Sequence, residues 1–357
     1  MDKERQMYEL EYPAPSVSAS GSTGEGPTLV VALHGYADAG LAVEASADHL
    51  KAALESRPLA TFNNDELIDY RSRRPAVTLD SHEPLEIDDL DLTIRVARDT
   101  SGRSFLLLSG PEPDLRWESF TAAVADLAER FNVSHTICLY AAPMPVPHTR
   151  PLVVTGHGNS ADLVSRMVRL EGKMMVPGSA SLFLENEMNK RGLNVAGFTA
   201  HVPHYLAANP YPQATFNLLN SVSATTGLDF PLRALEKDIE RTETMLSEQL
   251  TDSAEIDQVV HQLEEQYDEY MERYREQNPQ AIMPGEQHTP SGDEISEQFE
   301  RFLADWDASP SSIEDLLSAD IHDDEDPQPP QSDDENDAVS EDQEDGGDSG
   351  SGVDDDY

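Results

Sequence analysis

The residues best placed to do chemistry fall in four short runs. Val31–Leu33 leads into His34-Gly35, the order found at the histidine-glycine turn of α/β-hydrolase sites. That chemistry also needs a nucleophile on a strained strand-to-helix turn, written G-x-S-x-G, and the chain contains no such motif. Gly156-His157-Gly158-Asn159-Ser160-Ala161 fits G-x-G-x-x-A in form. A dinucleotide site would add an acidic residue about twenty positions on, and Met174–Ala180 holds none, so a tight turn before Asp162 is the simpler reading. Gly172-Lys173 is followed by Met174 and lacks the upstream glycine of a P-loop. His201-Val202-Pro203-His204 looks most like a ligand pair. In an extended segment, however, residues three apart point to opposite faces. Histidines hydrogen-bonded to backbone at a strand end are then expected, with no metal and no cofactor. At Pro177–Ser179 a turn opens a helix whose first amides are free to hold an anion.

These runs need elements to position them. Met7–Tyr12 alternates like a half-exposed strand, and the stretch from Pro13 to Pro27 is Pro/Ser/Gly-rich, which marks a loop. Thr28–Leu33 is a continuous apolar run, as a strand covered on both faces would be. Ala39–Ser56 has helical spacing through Leu41, Ala45, His49 and Ala52, with Asp38 at the N-cap position. Further strands are expected at Leu92–Val96, Phe105–Ser109, Ile137–Tyr140, Leu152–Thr155 and Asn194–His201. Helices are expected at Trp117–Phe131, Ser179–Lys190 and Pro212–Thr226. The alternation implies a layered α/β fold with a mostly parallel or mixed sheet. It breaks down over Asn63–Asp91, where a hairpin or irregular insertion is expected.

Three regions follow, 1–228 an α/β core, 229–306 helical and 307–357 an acidic tail. In the helical region Leu232–Leu250 and Ala254–Gln277 are long, charged and free of Pro and Gly. Ile256, Val259, Val260, Leu263, Tyr267 and Tyr270 form one apolar stripe. The stripe fits a hairpin folded back on the core, or a partner-binding face carried by Val260, Leu263 and Tyr267. Ser291-x-x-Glu294 makes a capping box for Ile295–Trp306, whose Phe299, Phe302, Leu303 and Trp306 share a face that must dock on the core or on a partner. The last 39 residues hold 17 Asp/Glu and no Lys or Arg, a composition that cannot bury enough apolar surface to order itself.

Across the 357 residues, 24 Lys+Arg stand against 69 Asp+Glu, a formal charge of −45. So negative a surface repels phosphate backbones and argues against nucleic acid and anionic membrane as partners. Cys138 is the sole cysteine, inside an apolar run, and reads as a small buried hydrophobe. With no span-length apolar stretch and no signal-like start, a reducing cytoplasm is the expected location.

The turn Gly35-Tyr36-Ala37-Asp38-Ala39-Gly40 resembles the G-x-x-D-A-G signature of the proteasome assembly chaperone family. Phe62–Arg71 with Arg74-Pro75, Ala200–Leu206, Leu263–Asp268, Pro290–Glu294 and Phe299–Leu303 resemble its actinobacterial branch, in order, across about Met7 to Leu303. The resemblance implies a three-layer α/β/α domain with a phosphorylase/hydrolase-like sheet and C-terminal helices. It implies self-association as trimers, a protein client related to the proteasome, and a hydrolase-like turn without catalysis. Some relatives dock by a C-terminal hydrophobic-Tyr-any motif, whereas this chain ends Asp356-Tyr357. One reading makes the acidic tail the functional element, a bait for basic partners; for the rest of the chain two functions stay open. One is a non-catalytic, chaperone-like binding protein. The other is a small-molecule binder or hydrolase-like enzyme using a strand-end cleft, with His34, Gly35, Asp38, Gly40, His157, His201 and His204 as candidates.

Overall fold

The computed structural model describes residues 7–13, 26–87, 90–170, 172–252, 254–279 and 281–286. Four apolar runs become parallel strands at the centre of one eight-stranded sheet: β2 (Thr28–His34), β7 (Ser104–Pro111), β8 (His135–Met144) and β10 (Val195–Pro203). Strands β1 (Tyr8–Leu10), β3 (Ser56–Phe62) and β6 (Thr93–Arg98) extend one side in antiparallel fashion. At the other edge β9 (Val154–Gly158) runs antiparallel to β10, giving the order β1-β3-β6-β7-β2-β8-β10-β9. The sheet is therefore mixed, as the alternation of elements implied.

Helices cover both faces. Because successive side chains leave a strand on opposite sides, Val30 and Ala32 pack with Ile137, Leu139 and Phe198 in one core, while Leu29 and Val31 join Leu106, Leu108 and Cys138 in the other. Helices α1 (Ala42–Ala53) and α6 (Pro212–Thr226) close the first core; α3 (Trp117–Arg130) and α5 (Ala180–Lys190) close the second. Their ends follow local rules. Pro212 opens α6 at a position where its missing N–H is no loss, and Gly227 ends it at φ 70°. Ser179 caps α5 by accepting from the Leu182 amide.

Several boundaries differ from expectation for visible reasons. The helix expected from Ala39 begins with a short 3-10 turn (Ala39–Leu41), and α1 starts only at Ala42, because Gly40 (φ 70°) and Leu41 (φ 50°) are both left-handed. Its last expected residue, Ser56, opens β3, a strand with no clear sequence signature. The expected strand Leu152–Thr155 is displaced to Val154–Gly158. The irregular stretch holds α2 (Asn64–Leu67) and an exposed hairpin of β4 (Val77–Asp80) and β5 (Glu83–Ile87). A four-residue helix, α4 (Ala161–Val164), follows the turn after β9.

Helix α7 (Arg233–Asp252) places Leu246 in the α1/α6 core with Leu228 and Phe230. In α8 (Ala254–Gln277), Tyr267 and Tyr274 meet Val153, Val168 and Met283 in a separate small cluster. Val260, Leu263 and Tyr267 are all under one-tenth exposed, covered by the chain itself. In this structure these three side chains pack within the chain. The buried stripe steps 260, 263, 267, 274 and leaves Val259 and Tyr270 partly exposed. Cys138 is fully buried. Phe299, Phe302, Trp306 and the acidic tail lie outside the described residues.

Candidate functional site

The turn after β2 crosses the carboxyl ends of the parallel strands. The Ala141 amide donates to the Ala37 carbonyl (2.8 Å), tying the turn to β8. Asp38 then accepts from the Val43 amide (2.7 Å) and the Glu44 amide (3.1 Å), so its carboxylate caps the first turn of α1. Burial nevertheless raises its carboxyl to about 6, because removal from water outweighs the two amide bonds. Gly40 donates to Ala207 (2.8 Å) and accepts from Tyr211 (2.9 Å), linking the turn to the segment after β10. His34 ends β2 with Nε2 4.0 Å from Glu44, and burial lowers its pKa.

Glu112, just past β7, was not singled out by sequence reasoning. Its amide donates to the His34 carbonyl (2.8 Å), and its buried carboxylate accepts from the Ala180 amide at the start of α5 (2.6 Å). The first amide of that helix thus meets a carboxyl group of the chain itself. A side chain at position 35 would stand 3.1 Å from that carboxylate, so Gly35 makes room for it. Beside it Arg73 pairs with Asp114 (3.2 Å), which also accepts from the Asp69 amide (2.8 Å). Glu112 was legible in one respect: an acid flanked by prolines directly after an apolar strand has to find donors near the core.

Among the described residues no hydrogen bond joins any two of the candidate histidines. His204 is exposed, its amide bonded to the Met144 carbonyl (3.0 Å). His201 is 6% exposed and shares a 3.2 Å hydrogen bond with Thr155; burial lowers it to about 4. His157 reaches over the sheet to Glu185 of α5 (3.0 Å), and Glu185 also accepts from the buried Tyr140 hydroxyl (2.6 Å). Gly197 lies under this network: a Cβ there would sit 2.3 Å from the His157 ring. Glu185 had a signal, since it occupies the buried Ser181-Leu184-Met188 stripe of α5 where an unpaired acid would be costly. Among the described residues no cluster of His, Cys, Asp and Glu could hold a metal ion.

Glu185 raises the His157 pKa above its ordinary 6.5. The pair therefore stabilises most fully below about pH 6.5 and fades as pH rises through the folded value. In an NMR titration E185Q should bring the His157 pKa back toward 6.5. An unchanged titration would show that the pair has no bearing on the imidazole.

The segments that carry the resemblance elsewhere anchor α8. Arg150 bonds Glu264 (2.9 Å) and Asp268 (2.8 Å), and the Tyr267 hydroxyl donates to the Pro151 carbonyl (2.7 Å). Leu263–Asp268 is thus a clamp on the segment between β8 and β9.

Several apolar side chains are exposed in the segment that leads into α5 and elsewhere on the surface. Met174, Met175 and Val176 are 58%, 98% and 52% exposed. They precede Gly178, which abuts Trp117 and Phe183; those two rings meet edge-on at 5.2 Å. Leu115, Phe183 and Tyr36 are exposed as well. Scattered exposed apolar residues are ordinary, but a run of three joined to an aromatic pair is the kind of patch that marks a protein contact. Among the described residues no helix is long and apolar enough to cross a membrane.

Comparison with known proteins matches residues 32–250 to the PAC2 family. A solved structure of a Corynebacterium glutamicum protein of unknown function is 58% identical (TM-score 0.73), covering 75% of this chain and 99% of that one. A PAC2 family protein from Streptomyces avermitilis is 30% identical (TM-score 0.59), covering 66% and 99%. A proteasome-assembly chaperone homologue from Mycobacterium tuberculosis is 26% identical (TM-score 0.60), covering 65% and 99%. Comparison with curated proteins gave no match.

Proposed function

The chain belongs to the PAC2 family, and from that premise we propose that it is a non-catalytic, chaperone-like protein that holds a protein client. The observation that carries this reading is the exposed run Met174-Met175-Val176 beside the Trp117–Phe183 pair. Apolar side chains held in water are what a transient protein contact uses, and aromatic and methionine residues are enriched at such contacts. Glu112 ties the end of β2, just before the Gly35–Gly40 turn, to the start of α5 by hydrogen bonds. The likeness to a proteasome-assembly chaperone homologue supports a proteasome-related client. On the same reading the chain self-associates, as a trimer, in the cytoplasm.

The test uses the tagged full-length chain, a version ending at Ala319, and the double variant M175D/V176D. Proteins recovered with each are compared by quantitative mass spectrometry. We expect the shortened chain to keep the client, and the aspartate variant to lose at least tenfold of it at an unchanged melting temperature, because both side chains are exposed. Equal recovery by the aspartate variant would remove the patch from the reading. Enrichment of no proteasome-related subunit by any form would remove the client.

A further inference from the structure

Two adjacent methionines stand in the exposed run that leads into α5. Met174 is 58% and Met175 98% exposed, whereas Met188 on α5 and Met283 are 0% and 5% exposed. Residues 173–178 lie outside helix and strand and make no backbone hydrogen bond to another described residue. Gly172 before them is left-handed at φ 82° with open space around it. Neither Met174 nor Met175 belongs to a core cluster, so a change of polarity there opens no cavity in the core.

A thioether is an apolar group whose polarity can be reversed. A peroxide transfers one oxygen to the sulfur: its O–O bond breaks, an S–O bond forms, the sulfur gives up two electrons and water leaves. The sulfoxide is polar and chiral, and no longer suits an apolar contact. A dithiol returns two electrons and two protons; the oxygen leaves as water and the reductant closes a disulfide. Exposure governs which sulfurs react first. Met188 is packed into the core under α3 and α5, where a sulfoxide would disrupt close packing. Met174 and Met175 react before that damage begins. Leucine would supply similar apolar volume at both positions without this chemistry.

We infer that Met174 and Met175 form a reversible oxidation site, at which sulfoxide formation by a peroxide releases the client while the fold stays intact. The inference rests on the client reading and adds the regulation of its contact surface.

The experiment treats the full-length chain with dilute hydrogen peroxide, follows each methionine by peptide mass spectrometry, removes the peroxide and measures client recovery. We expect Met174 and Met175 to oxidise at least tenfold faster than Met188 and Met283. Client recovery should fall at least fivefold at an unchanged melting temperature. Treatment with the two sulfoxide reductases, one for each epimer, and dithiothreitol should restore it. M174L/M175L should hold the client with or without peroxide, although it keeps Met245, which is 51% exposed on α7. M174Q/M175Q, a permanently polar form, should lose the client untreated. Recovery that survives sulfoxide at both positions would overturn the inference and leave the client reading standing. So would peroxide sensitivity undiminished in M174L/M175L, or oxidation of the pair no faster than that of Met188. If no form recovers a client even untreated, the client reading falls and the switch falls with it.

Discussion

Replacing Gly40 by alanine is expected to destabilise the chain by about 2–4 kcal/mol in urea unfolding. Two costs add. Gly40 has φ 70°, and an L-residue there loses about 1 kcal/mol against glycine. The new Cβ would also lie 2.9 Å from the Tyr211 Cβ and 3.4 Å from Val202, both buried, so Tyr211 must shift or α1 must. Because Gly40 exchanges hydrogen bonds with Ala207 and Tyr211, the strain would reach the segment after β10. The last glycine of the G-x-x-D-A-G signature is then a packing requirement. A cost below about 1 kcal/mol would mean that the turn relaxes freely and that the residue is there for another reason.

What was legible in the sequence follows from how much each element depends on distant parts of the chain. β2, β7 and β8 are continuous apolar runs because both faces are covered, and they read as strands without help. β3 did not. Its exposed Arg57 and a register shift between Pro58 and Ala60 hide any period. β9 is hard to see for a similar reason, since Thr155-Gly156-His157-Gly158 carries little apolar character and is a strand only because β10 pairs with it. Asp38 was legible as a cap because capping is local. The His157–Glu185 pair was not, since it forms only where α5 lies over Gly197, and no spacing rule encodes that contact. The α8 stripe showed its period but not its occupant. Whether the chain or a partner covers it depends on the Arg150 and Pro151 contacts more than one hundred residues away in sequence.

Asp38 and His201 should give the stability of this chain two opposed pH slopes that hide each other. Asp38 rises from 3.8 unfolded to about 6 folded, so the stability tied to its neutral form is present below pH 3.8 and lost as pH rises through 6. His201 falls from 6.5 to about 4 by burial alone, so stability tied to its neutral form is present above pH 6.5 and lost as pH falls through 4. At about 1.4 kcal/mol per pKa unit, each swing is on the order of 3 kcal/mol across nearly the same window, with opposite sign. D38N should therefore gain on the wild type as pH rises from 4 to 6, exposing the histidine slope. H201Q should gain on the wild type as pH falls from 6.5 to 4, exposing the aspartate slope. Since burial, not a mutual contact, is the leading cause for each, the double variant should run parallel to the wild type. Urea midpoints at pH 4, 5, 6 and 7 would decide the matter. If both single variants also run parallel to the wild type, neither group is held away from its ordinary pKa.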